Sequence, residues 1–124
     1  MTIQLTPQES ETHFHNALCN GLGQMRAYGL ELEYDDDHYK EARTKLDNPC
    51  FEDVLMQILK DGHSLTLVDE EGDEEDAIVT LKDVHERVSK TPIRHLVNAI
   101  EEEDDAETAD VILQTVFLND VVYG

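Results

Sequence analysis

Positive charge is what this chain has least of. Lysine and arginine number 9 among 124 residues, against 29 aspartates and glutamates, for a formal charge of −20 at pH 7. A surface of that sign repels phosphate, so neither direct binding to nucleic acid nor binding to an anionic membrane is expected. The one stretch with net positive charge holds Lys82, Arg87, Lys90 and Arg94. Four cations cannot offset the field of the whole molecule, and they read as ordinary helix partners of Asp83, Glu86 and the acidic run at 101–105. Tryptophan is absent and aromatics make up only 6% of the chain, so the core must come from aliphatic side chains. No apolar run approaches the ~20 residues of a membrane-spanning helix. The opening residues lack the basic and long apolar segments of a secretion signal. Cysteines number two, Cys19 and Cys50, too few and too far apart for a recognisable disulfide framework. The expectation is a cytoplasmic protein with both thiols buried and reduced.

Catalytic and cofactor motifs are equally scarce. His85-Glu86 opens a zinc-protease pattern, but Ser89 stands where its second histidine belongs. Gly21-Leu22-Gly23 lacks the third glycine of a dinucleotide fingerprint and lies inside a helical pattern, not after a strand. There is no phosphate-binding glycine-lysine loop and no CxxC. Ser64 beside His63 lacks the strand–turn–helix context of a nucleophile elbow. His15 and Cys19 are four residues apart, a spacing that can hold a transition metal on one helix face. Cys50 is the remaining thiol, and nothing in the sequence brings it near. The pair therefore reads as a surface histidine beside a buried cysteine. No metal, cofactor or catalytic residue is expected.

What the chain does have is helical patterning. Its length fits one domain over residues 1–124. Each of the three prolines follows a capping residue, in Thr6-Pro7, Asn48-Pro49 and Thr91-Pro92, which predicts three helix starts with proline at the first helical position. Glu9 completes a capping box with Thr6. Helix one is expected over 7–28, with Phe14, Ala17, Leu18, Gly21, Leu22 and Met25 on one face and Gly29 ending it. Residues 30–34 alternate apolar and acidic like a short strand, and 37–46 read as a short helix. Residues 49–60 carry Phe51, Val54, Leu55, Ile58 and Leu59 at helical spacing. Residues 64–68 and 77–81 are β-rich runs that predict a hairpin. Thr80 and Asp83 form another capping-box pattern opening a helix over 81–89. A fifth helix is expected over 92–102, with Ile93, Leu96, Val97 and Ile100 on its inner face. A sixth is capped by Asp104 or Asp105, with Ala109, Ile112, Leu113, Val116 and Phe117 inward. Residues 121–123 have the composition of a terminal strand that could pair with residues 3–5. The predicted fold class is α+β, mainly α: five or six short helices with a small antiparallel hairpin and a possible third strand from a terminus.

Much of the acidity falls in three runs, at 31–37, 69–76 and 101–107. In the tightest hairpin Gly72-Asp73 would form the turn. Glu71 would then oppose Glu74, Glu70 would oppose Glu75 and Asp69 would oppose Asp76, three destabilising like-charge pairs. A loop of about eight residues or a bound cation is expected instead. With Gly72 at the sixth place of an EF-hand loop, Leu67 and Ile78 would occupy its first and twelfth places, where carboxylates are required, so that loop is excluded.

These features point to an acidic protein-binding module. In its sharper form the module is a nucleic-acid mimic, an inhibitor of the kind carried by phages and mobile elements, whose carboxylates occupy the basic groove of a nucleic-acid-binding protein. The expected contact residues are Asp69, Glu70, Glu71, Asp73, Glu74, Glu75 and Asp76, with Glu101, Glu102, Glu103, Asp104 and Asp105. The alternatives are a small homo-oligomer assembling through helix six and the Val121-Val122-Tyr123 tail, and an enzyme without a recognisable motif.

Overall fold

Thr6 and Glu9 form the expected reciprocal cap. Thr6 Oγ1 accepts the Glu9 N–H at 3.1 Å and Glu9 Oε1 accepts the Thr6 N–H at 2.9 Å. From that start α1 runs Pro7–Ala27. Gly29, at φ 84°, turns the chain out of the helix through the left-handed region that glycine adopts without strain. The computed structural model describes residues 3–70, 76–102 and 105–123. After α1 come β1 (Leu30–Glu33), α2 (Asp36–Thr44), α3 (Phe51–Lys60), β2 (Leu65–Asp69) and β3 (Ala77–Val79). The chain closes with α4 (Leu81–Arg87), a 3-10 turn (Val88–Lys90), α5 (Ile93–Ile100) and α6 (Ala106–Leu118). The fold is α+β and mainly α, with a three-stranded antiparallel sheet in the order β1-β2-β3.

α1 and α6 pack antiparallel at the centre. Phe14 meets Phe117 near one end, with ring centroids 5.9 Å apart, and the Tyr28 hydroxyl donates to Asp110 Oδ2 at 2.7 Å near the other. Gly21 makes the close approach possible: a Cβ there would lie 2.9 Å from Leu113 Cδ1 and 3.1 Å from the Ala109 backbone. Every residue from Thr108 to Phe117 is buried, because α1, α4, α5 and β3 all contact α6. The strands alternate as a half-covered sheet does, with Leu65, Leu67 and Val79 inward and Ile78 outward.

Four expectations change. The third strand is β1, not a terminus. Residues 121–123 are held by α6, where Gln114 Oε1 accepts the N–H groups of Val122 (2.8 Å) and Tyr123 (2.7 Å), and the Tyr123 ring stacks on Tyr28 at 5.0 Å. Only the first proline cap stands as read. Asn48 adopts a left-handed φ of 48°, incompatible with starting a helix, so Cys50 is the N-cap of α3, and Pro92 itself precedes α5. The inner face of α5 is turned toward His95, Leu96 and Ala99, leaving Ile93 and Ile100 exposed. His95 is drawn inward by the buried Thr108, whose Oγ1 lies 3.0 Å from its Nδ1. Finally, α6 is covered by its own chain, so the helix face expected to drive assembly is not at the surface.

Candidate functional site

The hairpin pairs Leu65 with Val79 and Leu67 with Ala77, one residue out of register with a turn on Gly72-Asp73. Asp69 Cα is instead paired with Leu30 of β1, and its side chain is buried. Glu70 and Asp76 are exposed, and the remaining hairpin candidates, Glu71, Asp73, Glu74 and Glu75, lie outside the described residues. In the second run Glu101 and Glu102 are exposed, and Glu103 and Asp104 lie outside the described residues. Asp105 caps α6, its Oδ1 accepting the Thr108 N–H at 2.9 Å, and this backbone bond holds its carboxyl below the usual range.

One residue of each run, Glu70 and Glu107, lies near the C-terminal end of α1. Glu70 N–H donates to Gly29 O at 3.0 Å. One residue earlier, Tyr28 bonds Asp110 and lines a cavity with Ala106 and Glu107 at the start of α6. Glu31 leaves the same cap along β1 and reaches Arg26 at 3.9 Å. Glu31, Glu70, Glu107 and Asp110 thus border the C-terminal end of α1, with Glu31 paired to Arg26 and Glu107 to Arg94. Of the basic stretch, Lys82 and Arg87 find the expected helix partners, while Arg94 reaches beyond the run at 101–105. Lys82 pairs with Glu86, Arg87 with Asp83 and Arg94 with Glu107.

A second cluster lies where α1 crosses the start of α3. His15 Nε2 is 2.8 Å from Asp53 Oδ1, and Asp53 Oδ2 accepts the Cys50 N–H at 3.2 Å. One donor atom from each of His15, Cys50 and Asp53 lies within 4.8 Å of the others. Both cysteines are free and exposed, which corrects the expectation of buried thiols. The cap explains Cys50: an N-cap residue sits outside the helix, at the surface. Hydrogen bonds from His15 and Cys50 hold the Asp53 carboxyl below its usual range. At Cys50 a backbone hydrogen bond from Asp53 favours the thiolate, but desolvation and the neighbouring Asp53 and Glu52 outweigh it and push the thiol up. The Cys19 thiol is also raised, by desolvation and then by the charges of Glu52, Cys50 and Asp53. Both upward shifts favour the protonated thiol, the poorer nucleophile. A cavity of about 480 Å³ opens beside His15 and Asp53, lined also by Glu11, Gln57 and Lys60.

The sequence pairs His15 with Cys19 and gives no reason to bring Cys50 near, whereas the structure gathers His15 with Cys50 and Asp53. The signal available in the sequence was the Cys50-to-Asp53 spacing of a capping box, which fixes those two side chains relative to each other. A third polar group stacks His38 on His63, with ring centroids 3.6 Å apart, beside the carboxylates of Asp35 and Asp61. No protein family matches this chain, and no curated protein or solved structure is found to be similar to it.

Proposed function

We propose that this chain is an acidic protein-binding module whose partner is a basic protein, most specifically one that otherwise binds nucleic acid. The observation that supports this reading is that Glu70 and Glu107, one from each of two acidic runs about thirty residues apart in sequence, lie near the C-terminal end of α1, through the Glu70–Gly29 hydrogen bond and the cavity that Glu107 lines with Tyr28. A partner that normally reads phosphates needs negative charge presented from several segments at once. The two free thiols fit a reducing, cytoplasmic setting.

The test is capture of partners from cell extract on the immobilised chain, with duplex DNA and salt as competitors. DNA-binding proteins should be retained and then released by either competitor. Joint replacement of Glu70, Glu101 and Glu102 by Gln and Asp76 by Asn should abolish retention. The same number of neutralisations on α2 and its flank, at Asp36, Asp37, Glu41 and Asp47, should leave it intact. Retention that is indifferent to which end is neutralised, or no retention of basic proteins, sinks the reading.

A homo-oligomer remains a second reading with its surface relocated. Ile93 and Ile100 lie seven residues apart on α5, both exposed, as are Val121 and Val122 in the tail. Sedimentation of wild type against Ile93→Ser with Ile100→Ser decides it: a monomer in both excludes assembly.

A further inference from the structure

We propose that His15, Cys50 and Asp53 form a binding site for a borderline-soft divalent transition metal of the zinc type. The donor set is a nitrogen, a sulfur and a carboxylate oxygen, the three ligand kinds that zinc accepts together, whereas magnesium and calcium prefer oxygen alone. The geometry is close to assembled. Donors on one tetrahedral zinc, at bonds of ~2.0–2.3 Å, lie about 3.2–3.8 Å apart. The three donor atoms here are all within 4.8 Å of one another. His15 and Asp53 already touch at 2.8 Å across the two helices, closer than two ligands of one zinc, so a small side-chain rotation that parts them would admit the ion.

The surroundings suit a cation. Asp53 is steadied by the Cys50 N–H on its second oxygen, the kind of outer contact that orients a ligating carboxylate. The cavity beside His15 and Asp53 gives an entry path and room for a water or an added ligand in the open coordination position. Cys19, one helical turn along α1 from His15, lies outside the three-atom cluster and is assigned no bond.

The experiment titrates the full chain, kept reduced, with Co²⁺ as a spectroscopic probe and then with Zn²⁺. One equivalent of Co²⁺ should bind with a thiolate-to-cobalt charge-transfer band, and Zn²⁺ should displace it while Mg²⁺ in excess should not. Cys50→Ser should remove the band. Serine caps helices well, so that loss cannot be ascribed to unfolding of α3. His15→Ala should weaken binding by more than about tenfold, with its fold checked by circular dichroism. Cys19→Ser should keep the band. Zn²⁺ should also slow alkylation of Cys50 in the wild type, a readout independent of the cobalt spectrum. The assignment is overturned by a missing band, by a band that survives Cys50→Ser, or by equal loss of binding in Cys19→Ser. Displacement by Mg²⁺ as readily as by Zn²⁺, or alkylation that ignores Zn²⁺, overturns it equally.

Discussion

Gln114 is the residue on which the end of the chain depends. It is fully buried in α6, donates to Asp110 Oδ1 at 2.8 Å and to Tyr123 O at 3.1 Å, and accepts from two backbone N–H groups of the tail. Replacing it by Leu keeps the volume but leaves buried polar partners unpaired, at about 1–3 kcal/mol for each one that water cannot reach. Gln114→Leu should therefore destabilise the fold by about 3 kcal/mol in denaturant titration. The Val122 and Tyr123 amides should lose their protection from hydrogen exchange. Asp61 makes a charge-dependent case. Its Oδ1 accepts from Lys45 Nζ and Gln57 Nε2, each at 2.8 Å, with His63 nearby, and the Lys45 bond is the first cause holding its carboxyl below the ordinary value. A carboxyl depressed in the folded state stabilises above its unfolded pKa, near ~3.9, and loses that contribution as pH falls through the folded value. Lys45, raised by the same bond, stabilises below its unfolded pKa of ~10.4 and loses that contribution as pH climbs through its folded value. The melting difference between wild type and Asp61→Asn should thus be full at neutral pH and shrink below about pH 4 and above about pH 10.4. A difference that changes across pH 5 to 9 would mean that another group controls it. Little of this was legible from the sequence, because a side chain's identity does not announce its partners. Gln114 reads as a polar interruption of an apolar stripe, and Asp53 as one carboxylate among 29 acidic residues.

Helix α1 shows how much an element reveals and where it stops. The Thr6–Glu9 capping box, the apolar face and the Gly29 exit were all readable, because each rests on contacts within a few residues. The two interior glycines were not distinguishable by that route, and their environments differ. A Cβ at Gly21 would press on Leu113 and the Ala109 backbone, whereas one at Gly23 would meet nothing within 4 Å. Helix propensity alone favours alanine at both by about 1 kcal/mol. Gly23→Ala should realise that gain and raise the melting temperature. Gly21→Ala should lower it, since forced repacking costs about 1–3 kcal/mol and the Ala109 backbone cannot yield as a side-chain end can. Equal effects at the two sites would show that α1 and α6 are not as closely packed as Gly21 implies. The turn of α5 and the third strand were decided by contacts beyond the local segment, the His95–Thr108 hydrogen bond and the β1–β2 pairing, whereas the start of α3 turned on one backbone conformation. Asn48 takes a left-handed conformation that the local Asn-Pro pattern did not reveal. The α5 face follows a His95–Thr108 hydrogen bond, not hydrophobic period alone.

At the scale of the whole molecule the governing quantity is −20 charges on a body whose radius of gyration, for 124 residues, is about 14 Å. The Debye length is ~30 Å at 0.01 M salt, so every carboxylate then feels nearly every other, and it is ~10 Å at 0.1 M, where only neighbours interact. Folding concentrates the charge, so screening should favour the folded state more than the unfolded one. The melting temperature should rise with sodium chloride over that range and then level off. Ion pairs among the described residues are largely exposed, such as Lys82–Glu86 at 3.9 Å, and 9 basic residues cannot neutralise 29 acidic ones. Composition made this legible, but it could not say which carboxylates lie near one another, since the placing of Glu70 and Glu107 near the end of α1 depends on the β1–β2 pairing and the antiparallel α1–α6 packing. Divalent cations separate general screening from a specific site. Mg²⁺ should stabilise wild type and Cys50→Ser alike, because it answers to overall charge. Zn²⁺ at micromolar concentrations adds nothing to ionic strength, so any rise it causes in wild type must come from binding to the folded state. That rise should vanish in Cys50→Ser while the sodium chloride response stays. Melting curves that ignore sodium chloride would mean that the charges are too well separated to repel. The acidic end would then lack the concentrated field that its proposed partner requires.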